Sequence, residues 1–388
     1  MNKQVANVQL MQKMNRLKVL EFVRKNPDSS RPIIAAETGL SLPSITNIVS
    51  YLLEIGILQE NGLEKVTRVG RKSTLLRVSD SAYDLLCIYL DEKNALVVRT
   101  DFEGNPKEKV SLKIHKNSSE QNLKELFDAI IAIVKSCPAG RILGIGVAIS
   151  GLVLSGSQFI MSSRLKWTSF DIKNMIEEKT GIPVFLDNVS LLRAVWYFHK
   201  NQPRQNENML FIDMENGIGA VQYAGGTIQP YTLGEIGHTT VERDGLPCFC
   251  GNRGCLEAMC SPKRILSLYE SASDESLTSL SEIEELFIQE NSSAVFAVRE
   301  CATYLGIGLA NLVNLFNPSK IVINTGDFTE CPSLIDIAEK EMRKRAYLSL
   351  SKSLTIEKIC ENAANTICGT AYHLCNNIFD ISYPGNIL

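Results

Sequence analysis

The sequence has no apolar run approaching the roughly 20 residues that a helix needs to cross a bilayer. Its N-terminal segment has neither an unbroken apolar core nor a small-residue cleavage site, so we expect no secretory signal. Eleven cysteines, an odd number, are scattered along 388 residues and do not form a disulfide framework. These absences exclude membrane-spanning and disulfide-rich secreted classes and favour a reduced, cytoplasmic protein.

Charge is nearly balanced over the whole chain but differs between its two ends. Residues 1–80 carry twelve Lys and Arg against seven Asp and Glu, whereas the remainder carries 28 basic and 36 acidic residues. A basic N-terminal segment on an acidic body is typical of a nucleic-acid-binding module fused to another domain. Chance variation in surface charge is the alternative.

Three helices are predicted within the first 55 residues. Apolar residues recur at helical spacing over 9–25, and capping residues begin further helices at Ser30 and Ser41. A Gly-Leu turn after Thr38 joins the second helix to the third. This arrangement has the length and turn chemistry of a helix-turn-helix.

The third helix separates into an apolar face and a polar face. Small polar side chains on the second face would let the helix enter the major groove and contact phosphates and base edges. These candidate DNA-contacting residues are Ser44, Thr46, Asn47 and Ser50. A solvated helix face would have the same composition.

A basic hairpin is predicted after the third helix. Apolar and polar residues alternate toward Arg77, and the preceding turn is rich in basic side chains. A basic tip beside a recognition helix is typical of a wing, which would place Arg71 in the minor groove. Arg68, Arg71 and Lys72 are therefore further candidate DNA-contacting residues, with a solvated basic turn as the alternative.

From residue 84 onward, apolar strand-like runs alternate with helical segments, which indicates an α/β body. Within this body, His238, Cys248, Cys250 and Cys255 lie in one short segment. One imidazole and three thiolates suit a tetrahedral Zn²⁺ with no open position, which is a structural site. Reduced cysteines without metal and a disulfide are the alternatives.

The segment GEIGHTTV…CFCGNRGCLEAMCS (234–261) resembles the zinc signature of the ROK family, which groups transcriptional repressors with sugar kinases. The resemblance extends over nearly the whole chain. Further matching segments are GIGVAISGLV (144–153), Lys166-Trp167, GIPVFLDN (181–188), NGIGAVQYAGGTI (216–228) and LGIGLANLVNLFNPSKIVI (305–323).

The resemblance implies an α/β fold in which a winged helix-turn-helix precedes a two-lobed, actin-like (ribonuclease H-like) body. We expect the DNA-binding domain over residues 1–80 and the first lobe over 81–195, joined by a C-terminal helix at 370–388. The second lobe, with the zinc loop, is expected over 196–369.

The resemblance also implies a sugar site in the cleft between the lobes. By position in the family motifs, its contacts are Asn188, Glu235, His238 and Glu257, with Gly151 allowing close approach of the backbone. Neighbouring sugar hydroxyls suit such carboxylate and amide partners. Capping of the metal loop is the alternative role for the two glutamates.

Residues that phosphoryl transfer requires are missing. The family's phosphate loop is rich in Gly and Thr, but the corresponding segment here, 91–95, has no glycine. The family's carboxylate base directly follows the cleft asparagine, and Val189 occupies that position. A late Gly-Gly is altered to Thr325-Gly326. We therefore expect a non-enzymatic regulator.

The sequence thus predicts a sugar-responsive transcriptional regulator, most simply a repressor, that binds operator DNA as a homodimer or homotetramer. Two alternatives remain open. One is an ATP-dependent sugar kinase that uses Asp187 as its base. The other is a regulator controlled by a protein partner.

Overall fold

The computed structural model describes most of the chain. The described residues are 3–64, 72–79, 81, 83–115, 118–154, 158–162, 165, 167–168, 171–229, 235–380 and 383. Arg68 and Arg71 lie outside these ranges, so the DNA-contacting roles expected for them remain predictions, and Lys166 of the matching segment lies outside them as well.

The N-terminal domain combines helices with a small antiparallel sheet. Its elements are α1 (Lys3–Lys25), β1 (Ser29–Ser30), α2 (Arg31–Thr38), α3 (Leu42–Glu54), β2 (Leu58–Leu63) and β3 (Thr74–Val78). The strands pair in the order β1-β3-β2. The first helix begins at Lys3 rather than near residue 9, and β2 with β3 forms the predicted hairpin.

Helix α3 begins and packs as the sequence predicts. The Ser41 hydroxyl accepts a hydrogen bond from the backbone N–H of Ser44, which caps the first turn. Ile45, Val49 and Leu52 are fully buried in the domain core. At α2, by contrast, Ser30 occupies the N-cap position without a side-chain cap, so Pro32 in the first turn contributes the helix-starting signal there.

The first lobe is built on a five-stranded mixed sheet with the strand order β11-β7-β4-β5-β6. Its elements are β4 (Asp84–Leu90), β5 (Asn94–Thr100), β6 (Pro106–Lys113), α4 (Ser119–Ser136), β7 (Ile142–Ile149), β8 (Leu152–Leu154), β9 (Gln158–Ser162), β10 (Trp167–Thr168), α5 (Ile172–Thr180), β11 (Val184–Asn188) and α6 (Val189–Asn201). Strands β4, β7 and β11 run parallel, while β8, β9 and β10 form a separate small sheet.

The second lobe has a five-stranded sheet with the order β14-β13-β12-β15-β16. Its elements are β12 (Met209–Asp213), β13 (Gly219–Ala224), β14 (Thr227–Gln229), α7 (Leu256–Cys260), α8 (Pro262–Ser273), α9 (Leu280–Ile288), α10 (Ser292–Phe316), β15 (Lys320–Asn324), α11 (Pro332–Arg345), α12 (Leu348–Ser353) and β16 (Thr355–Ile359). The last helix, α13 (Ala363–Ile378), returns to the first lobe and packs on β4, β7 and α6.

Helix α13 differs from the helix expected at 370–388, since it begins earlier and ends at Ile378. The physical reason is a capping box: the Asn362 side chain accepts from the first turn, and the Asn365 side chain accepts from the backbone N–H of Asn362. The helix packs unusually close to β7. A Cβ built at Gly146 would lie 2.6 Å from the Thr370 methyl carbon, so this contact requires glycine.

The cleft between the lobes opens where β7 and β11 end and where α6 begins. This placement follows from parallel strands, whose carboxyl ends meet at one edge of a sheet and position the loops that bind ligands. Within the described ranges, no helix is both long and apolar enough to cross a membrane.

Candidate functional site

A cavity of about 410 Å³ lies in the cleft. Five of its lining residues are those that the sequence predicts for sugar contact: Gly151, Asn188, Glu235, His238 and Glu257. They come from four separate segments of the chain, so the fold brings together residues that are far apart in sequence. The volume falls within the ordinary range for small-molecule sites.

The side chain of Asn188 is held at the boundary between β11 and α6. Its Oδ1 accepts a hydrogen bond from the backbone N–H of Ser190 at 2.7 Å, and its Nδ2 donates to the carbonyl oxygen of Gly151 at 2.7 Å. Glycine is required at 151, because a Cβ there would lie 2.6 Å from the carbonyl oxygen of Met161. The amide is therefore oriented before any ligand arrives.

The two predicted glutamates differ in exposure. Glu257 is buried in the first turn of α7, and its Oε2 accepts from the backbone N–H of Ile218 at 3.3 Å. Glu235 is exposed and directly precedes a short 3₁₀ turn, Ile236–His238. The structure thus gives Glu257 a contact that anchors the loop, while Glu235 is an exposed residue of the cavity lining.

The predicted metal ligands form a compact cluster. One ligand atom from each of His238, Cys248, Cys250 and Cys255 lies within 4.8 Å of every other. His238 Nδ1 is 3.5 Å from Cys248 Sγ, and Cys250 Sγ is 3.7 Å from Cys255 Sγ. Tetrahedral zinc with Zn–S bonds of about 2.3 Å requires sulfur atoms about 3.8 Å apart, so the donor set fits the ion.

Burial of this cluster disfavours charged thiolates unless a cation is bound to them. Burial, together with hydrogen bonds in which the protonated thiol donates to Cys250 and Cys248, raises the pKa of the Cys255 thiol to about 12. A thiol in this environment stays protonated near neutral pH, whereas a bound dication stabilises the thiolate and releases the proton. Because Cys255 immediately precedes α7, the cluster also positions the turn that carries Glu257.

A buried ionic network beneath the cleft was not anticipated from the sequence. Arg193 is fully buried, and its Nη1 donates to both carboxylate oxygens of Asp213, at 2.7 and 2.6 Å. Its Nη2 lies 2.7 Å from Glu215 Oε2, at the cavity lining. Ser190 and Asn324 also donate to Asp213. Two features of the sequence could have indicated this network: the Arg inside the apolar run LLRAVW and the Asp at the end of the apolar run MLFID.

The loop between β4 and β5 folds onto its own carboxylate. Asp91 Oδ1 accepts from the backbone N–H groups of Lys93 and Asn94, at 2.7 and 2.6 Å, and Oδ2 accepts from the Tyr89 hydroxyl at 2.7 Å. Asn216 of the other lobe donates to Tyr89 at 3.1 Å. These loop amides therefore point at Asp91 and not into the cleft.

The same end of the cleft carries a further contact between the lobes. Lys93 Nζ of the first lobe lies 3.8 Å from Asp327 Oδ1 of the second. Asp327 is held in turn within its own lobe, where its Oδ2 accepts from the backbone N–H of Asn216 at 3.0 Å. Burial raises the pKa of Glu215, an effect that Arg193 opposes and that nearby carboxylates, including Asp327, reinforce. Acidic groups therefore dominate the region around Lys93.

Asp187, the base in the kinase alternative, lines the cavity but is engaged elsewhere. Its Oδ1 accepts from the backbone N–H of Asn188 at 2.9 Å, and its Oδ2 lies 3.4 Å from His373 Nε2 on α13. Val189 next to them is buried and lines the same cavity. The position after the cleft asparagine is thus apolar in the structure as in the sequence.

The candidate DNA-contacting face is open to solvent. Thr46, Asn47 and Ser50 are exposed on α3, and Ser44 is half-buried next to the cap. Lys72, two residues before β3, is exposed as well. The structure places these side chains on the surface of the N-terminal domain, which is the arrangement that groove entry requires.

These features define a two-lobed α/β body preceded by a small domain of three helices and a three-stranded antiparallel sheet. The chain belongs to the ROK family, whose model matches residues 91–375. It is 28% identical to a putative xylose repressor from Caldicellulosiruptor sp. (strain Rt8B.4), with 91% of this chain and 93% of the relative covered. It is 26% identical to the xylose repressor of Bacillus subtilis (strain 168), with 90% and 91% covered.

The chain is also similar to a regulator of known structure and, over part of its length, to a relative named as an enzyme. A crystal structure of a ROK family transcriptional regulator, described as a homologue of E. coli Mlc, superimposes with a TM-score of 0.79 at 22% identity over 97% of this chain and 98% of that one. That likeness supports the fold. A glucokinase from Halalkalibacterium halodurans is 33% identical, but over only 48% of this chain and 62% of its own length.

Proposed function

We propose that this protein is a sugar-responsive transcriptional repressor that binds operator DNA through its winged helix and a sugar in its cleft, without phosphorylating that sugar. The observation that carries the proposal is a contrast within one cleft. The five expected sugar-contacting residues line one cavity, whereas the loop at the other end directs its amides onto Asp91.

DNA recognition is assigned to α3 and the hairpin. Asn47 is an amide that could bond two atoms of an adenine edge, and the methyl group of Thr46 could contact thymine. Lys72 would contact phosphate and fix the register without reading sequence. Arg68 and Arg71 are proposed to act from the wing in the same way, with Arg71 in the minor groove.

Sugar recognition is assigned to groups that protein contacts hold in a fixed orientation. The Asn188 amide is held by Ser190 and Gly151, and Glu257 is held by the backbone of Ile218. Preorganised polar groups discriminate strongly, because a ligand without matching hydroxyls would leave them buried and unpaired. Glu235 and the free ring nitrogen of His238 complete the proposed contact set.

The metal cluster is proposed to bind structural zinc. His238 would use Nδ1 for the ion, which leaves Nε2 for a ligand in the cavity. Zinc supplies no reaction chemistry in such a closed site, but it fixes the loop that carries Glu235 and Glu257. Loss of the ion would therefore affect sugar binding as well as folding.

Phosphoryl transfer requires a phosphate cradle and a base, and the residues present suit neither role. The amides of Lys93 and Asn94 are committed to Asp91, and Glu215 and Asp327 would repel phosphate. The side chain of Val189 cannot accept a proton. Asp187 would have to leave both Asn188 and His373 to reach a sugar hydroxyl.

We further propose that the effector is an aldopentose of the xylose type. Val189 presents methyl groups to the cavity. A hexose carries one more hydroxyl-bearing carbon than a pentose, and a hydroxyl that faces Val189 would lack the polar partner that it needs. The names of the relatives from Caldicellulosiruptor and Bacillus subtilis point to the same ligand class. A hexose derivative is the second candidate.

Regulation is proposed to act through the arrangement of the lobes in a homodimer or homotetramer. A sugar that binds one arrangement more tightly shifts the population toward it. The shift changes the spacing of the paired winged helices and so the affinity for a two-fold operator. Control by a protein partner would leave the cleft without a sugar ligand.

Calorimetry with purified, zinc-loaded protein and no nucleotide tests the proposal. D-xylose should bind with 1:1 stoichiometry per chain, D-glucose should bind at least tenfold more weakly, and a coupled ATP-consumption assay should show no turnover with either sugar. Robust ATP consumption would establish the kinase alternative. Silence across a panel of pentoses, hexoses and amino sugars would favour the protein-partner alternative.

A further inference from the structure

The DNA-binding domain is docked onto α13, the last helix of the body. The guanidinium carbon of Arg24, at the end of α1, lies 4.0 Å from the ring centroid of Tyr372. Arg24 Nη2 also donates to Asn376 Oδ1 at 3.0 Å. Tyr372 in turn stacks on His199, with ring centroids 3.9 Å apart. One aromatic ring thus lies between the DNA-binding domain and α6.

Both helices that meet at this ring also reach the sugar cavity. Helix α6 begins at Asn188 and Val189, which line the cavity, and ends near His199. Helix α13 carries His373, whose Nε2 lies 3.4 Å from Asp187 at the cavity. Helix α6 therefore connects the cavity to His199, and α13 carries both Tyr372 and the His373 that lies next to the cavity.

The two helices are packed too tightly to move independently. A Cβ built on Gly369 of α13 would lie 1.9 Å from the carbonyl oxygen of Leu192 on α6, so the backbones are in direct contact. Close-packed elements of this kind shift as a unit and do not deform gradually. A displacement at Asn188 would thus be carried along both helices together.

Buried apolar residues also connect the cavity to α1 by way of α13. One cluster of buried residues contains Val189 at the cavity, Leu374 on α13, and Leu20 and Val23 on α1. A second, partly open cavity of about 310 Å³ lies at the seam between α1 and α13. The seam is therefore incompletely filled, which leaves α1 room to shift against α13.

We infer that Tyr372 is the coupling residue of this protein: its ring transmits sugar occupancy from the paired helices α6 and α13 to Arg24 and hence to the winged helix. The inference rests on the proposed function, since it specifies how the sugar site regulates the DNA site. Tyr372 itself is assigned no contact with sugar or DNA.

The test measures coupling separately from either affinity. The DNA affinity of the full-length protein is measured by fluorescence anisotropy on a duplex selected by the wild type from a random library, with and without saturating D-xylose. The ratio of the two dissociation constants is the coupling factor, typically about 5 to 150 in regulated proteins. Sugar affinity without DNA is measured by calorimetry.

Tyr372→Leu should reduce the coupling factor to below twofold, while the sugar affinity and the sugar-free DNA affinity each stay within threefold of wild type. Tyr372→Phe retains the ring and should keep the wild-type coupling factor. A Tyr372→Leu protein that still responds to sugar as the wild type does would overturn the inference.

A second pair of variants covers the case in which Tyr372→Leu fails to fold. Arg24→Gln removes the cation from the ring and should lose coupling, whereas Arg24→Lys retains charge over the ring and should preserve part of it. Full coupling in Arg24→Gln would contradict the inference. If the wild type itself shows no response to any sugar, the proposed function fails first, and the two failures are thereby distinguished.

Discussion

His238 and Cys248 place the candidate metal-ligand cluster at the wall of the cleft cavity. The Nδ1 of His238 lies 3.5 Å from Cys248 Sγ, and the same imidazole lines the cavity together with Cys250. The metal loop and the ligand site therefore share a side chain. A change in the metal-ligand cluster should therefore alter the affinity of the cavity for its ligand.

Replacing a metal ligand should weaken both the fold and sugar binding. Cys250→Ser removes one of four ligands, so we expect zinc content to fall from one ion per chain to near zero, with a lower melting temperature and at least tenfold weaker sugar binding. Mass spectrometry of metals, thermal unfolding and calorimetry check this. Cys360→Ser, at an exposed cysteine outside the cluster, should leave all three unchanged, and a zinc-free wild type would refute the assignment.

The basic hairpin should contribute phosphate contacts. Lys72→Ala or Arg71→Ala should weaken DNA binding about equally on all sequences and lower the slope of log K against log salt by about one counterion. Anisotropy titrations at several salt concentrations measure this slope. Lys352→Ala, at an exposed lysine of α12, serves as the control. An unchanged slope in both hairpin variants would remove the wing from the interface.

Asn47 should read a base and not only a phosphate. Asn47→Ala should cost about 1 to 3 kcal/mol on the selected site, because a bidentate contact to adenine is lost. The cost should disappear on a duplex in which the contacted base pair is changed, whereas the loss in Lys72→Ala should persist. Equal losses on both duplexes would place Asn47 on the DNA backbone.

His199 should make stability depend on pH. Burial lowers its pKa to about 4 from its usual value of 6.5, and the charges of Arg24 and Lys25 add to the effect. The unfolded chain therefore binds a proton more readily than the folded one, and the contribution of His199 to the free energy of unfolding falls as pH drops from about 6.5 toward 4.

His199→Gln should flatten this part of the pH dependence, because a neutral side chain takes its place. Denaturant unfolding at a series of pH values checks the slope. His115→Gln, at an exposed histidine that follows β6, is the matched control. A slope in His199→Gln that equals that of wild type would show that the proton is taken up elsewhere.

Much of the architecture could be predicted from local patterns. The apolar face of α3, with Ile45 and Val49, and the spacing of Cys248 to Cys255 are each contained in a short segment, so helical periodicity and ligand chemistry are sufficient. The cavity residues were placed by family motifs, and the fold brings Gly151 and Asn188 together across the parallel strands β7 and β11.

Contacts between distant segments could not be predicted in the same way. The pairing of Arg193 with Asp213, and of Asp187 with His373, depends on how whole helices pack across the sheets. The sequence shows a charged residue inside an apolar run, but a single sequence does not identify its partner. The start of α1 was also missed, since few apolar residues mark its first turns.

The most direct test of the account is the DNA affinity of the zinc-loaded protein, titrated with D-xylose in the complete absence of nucleotide. The account predicts that the sugar weakens binding to the selected duplex at least tenfold and that Asn188→Ala, which removes the oriented amide, abolishes this response while leaving sugar-free DNA binding intact. A response that appears only when ATP is added, or none with any sugar, would contradict it.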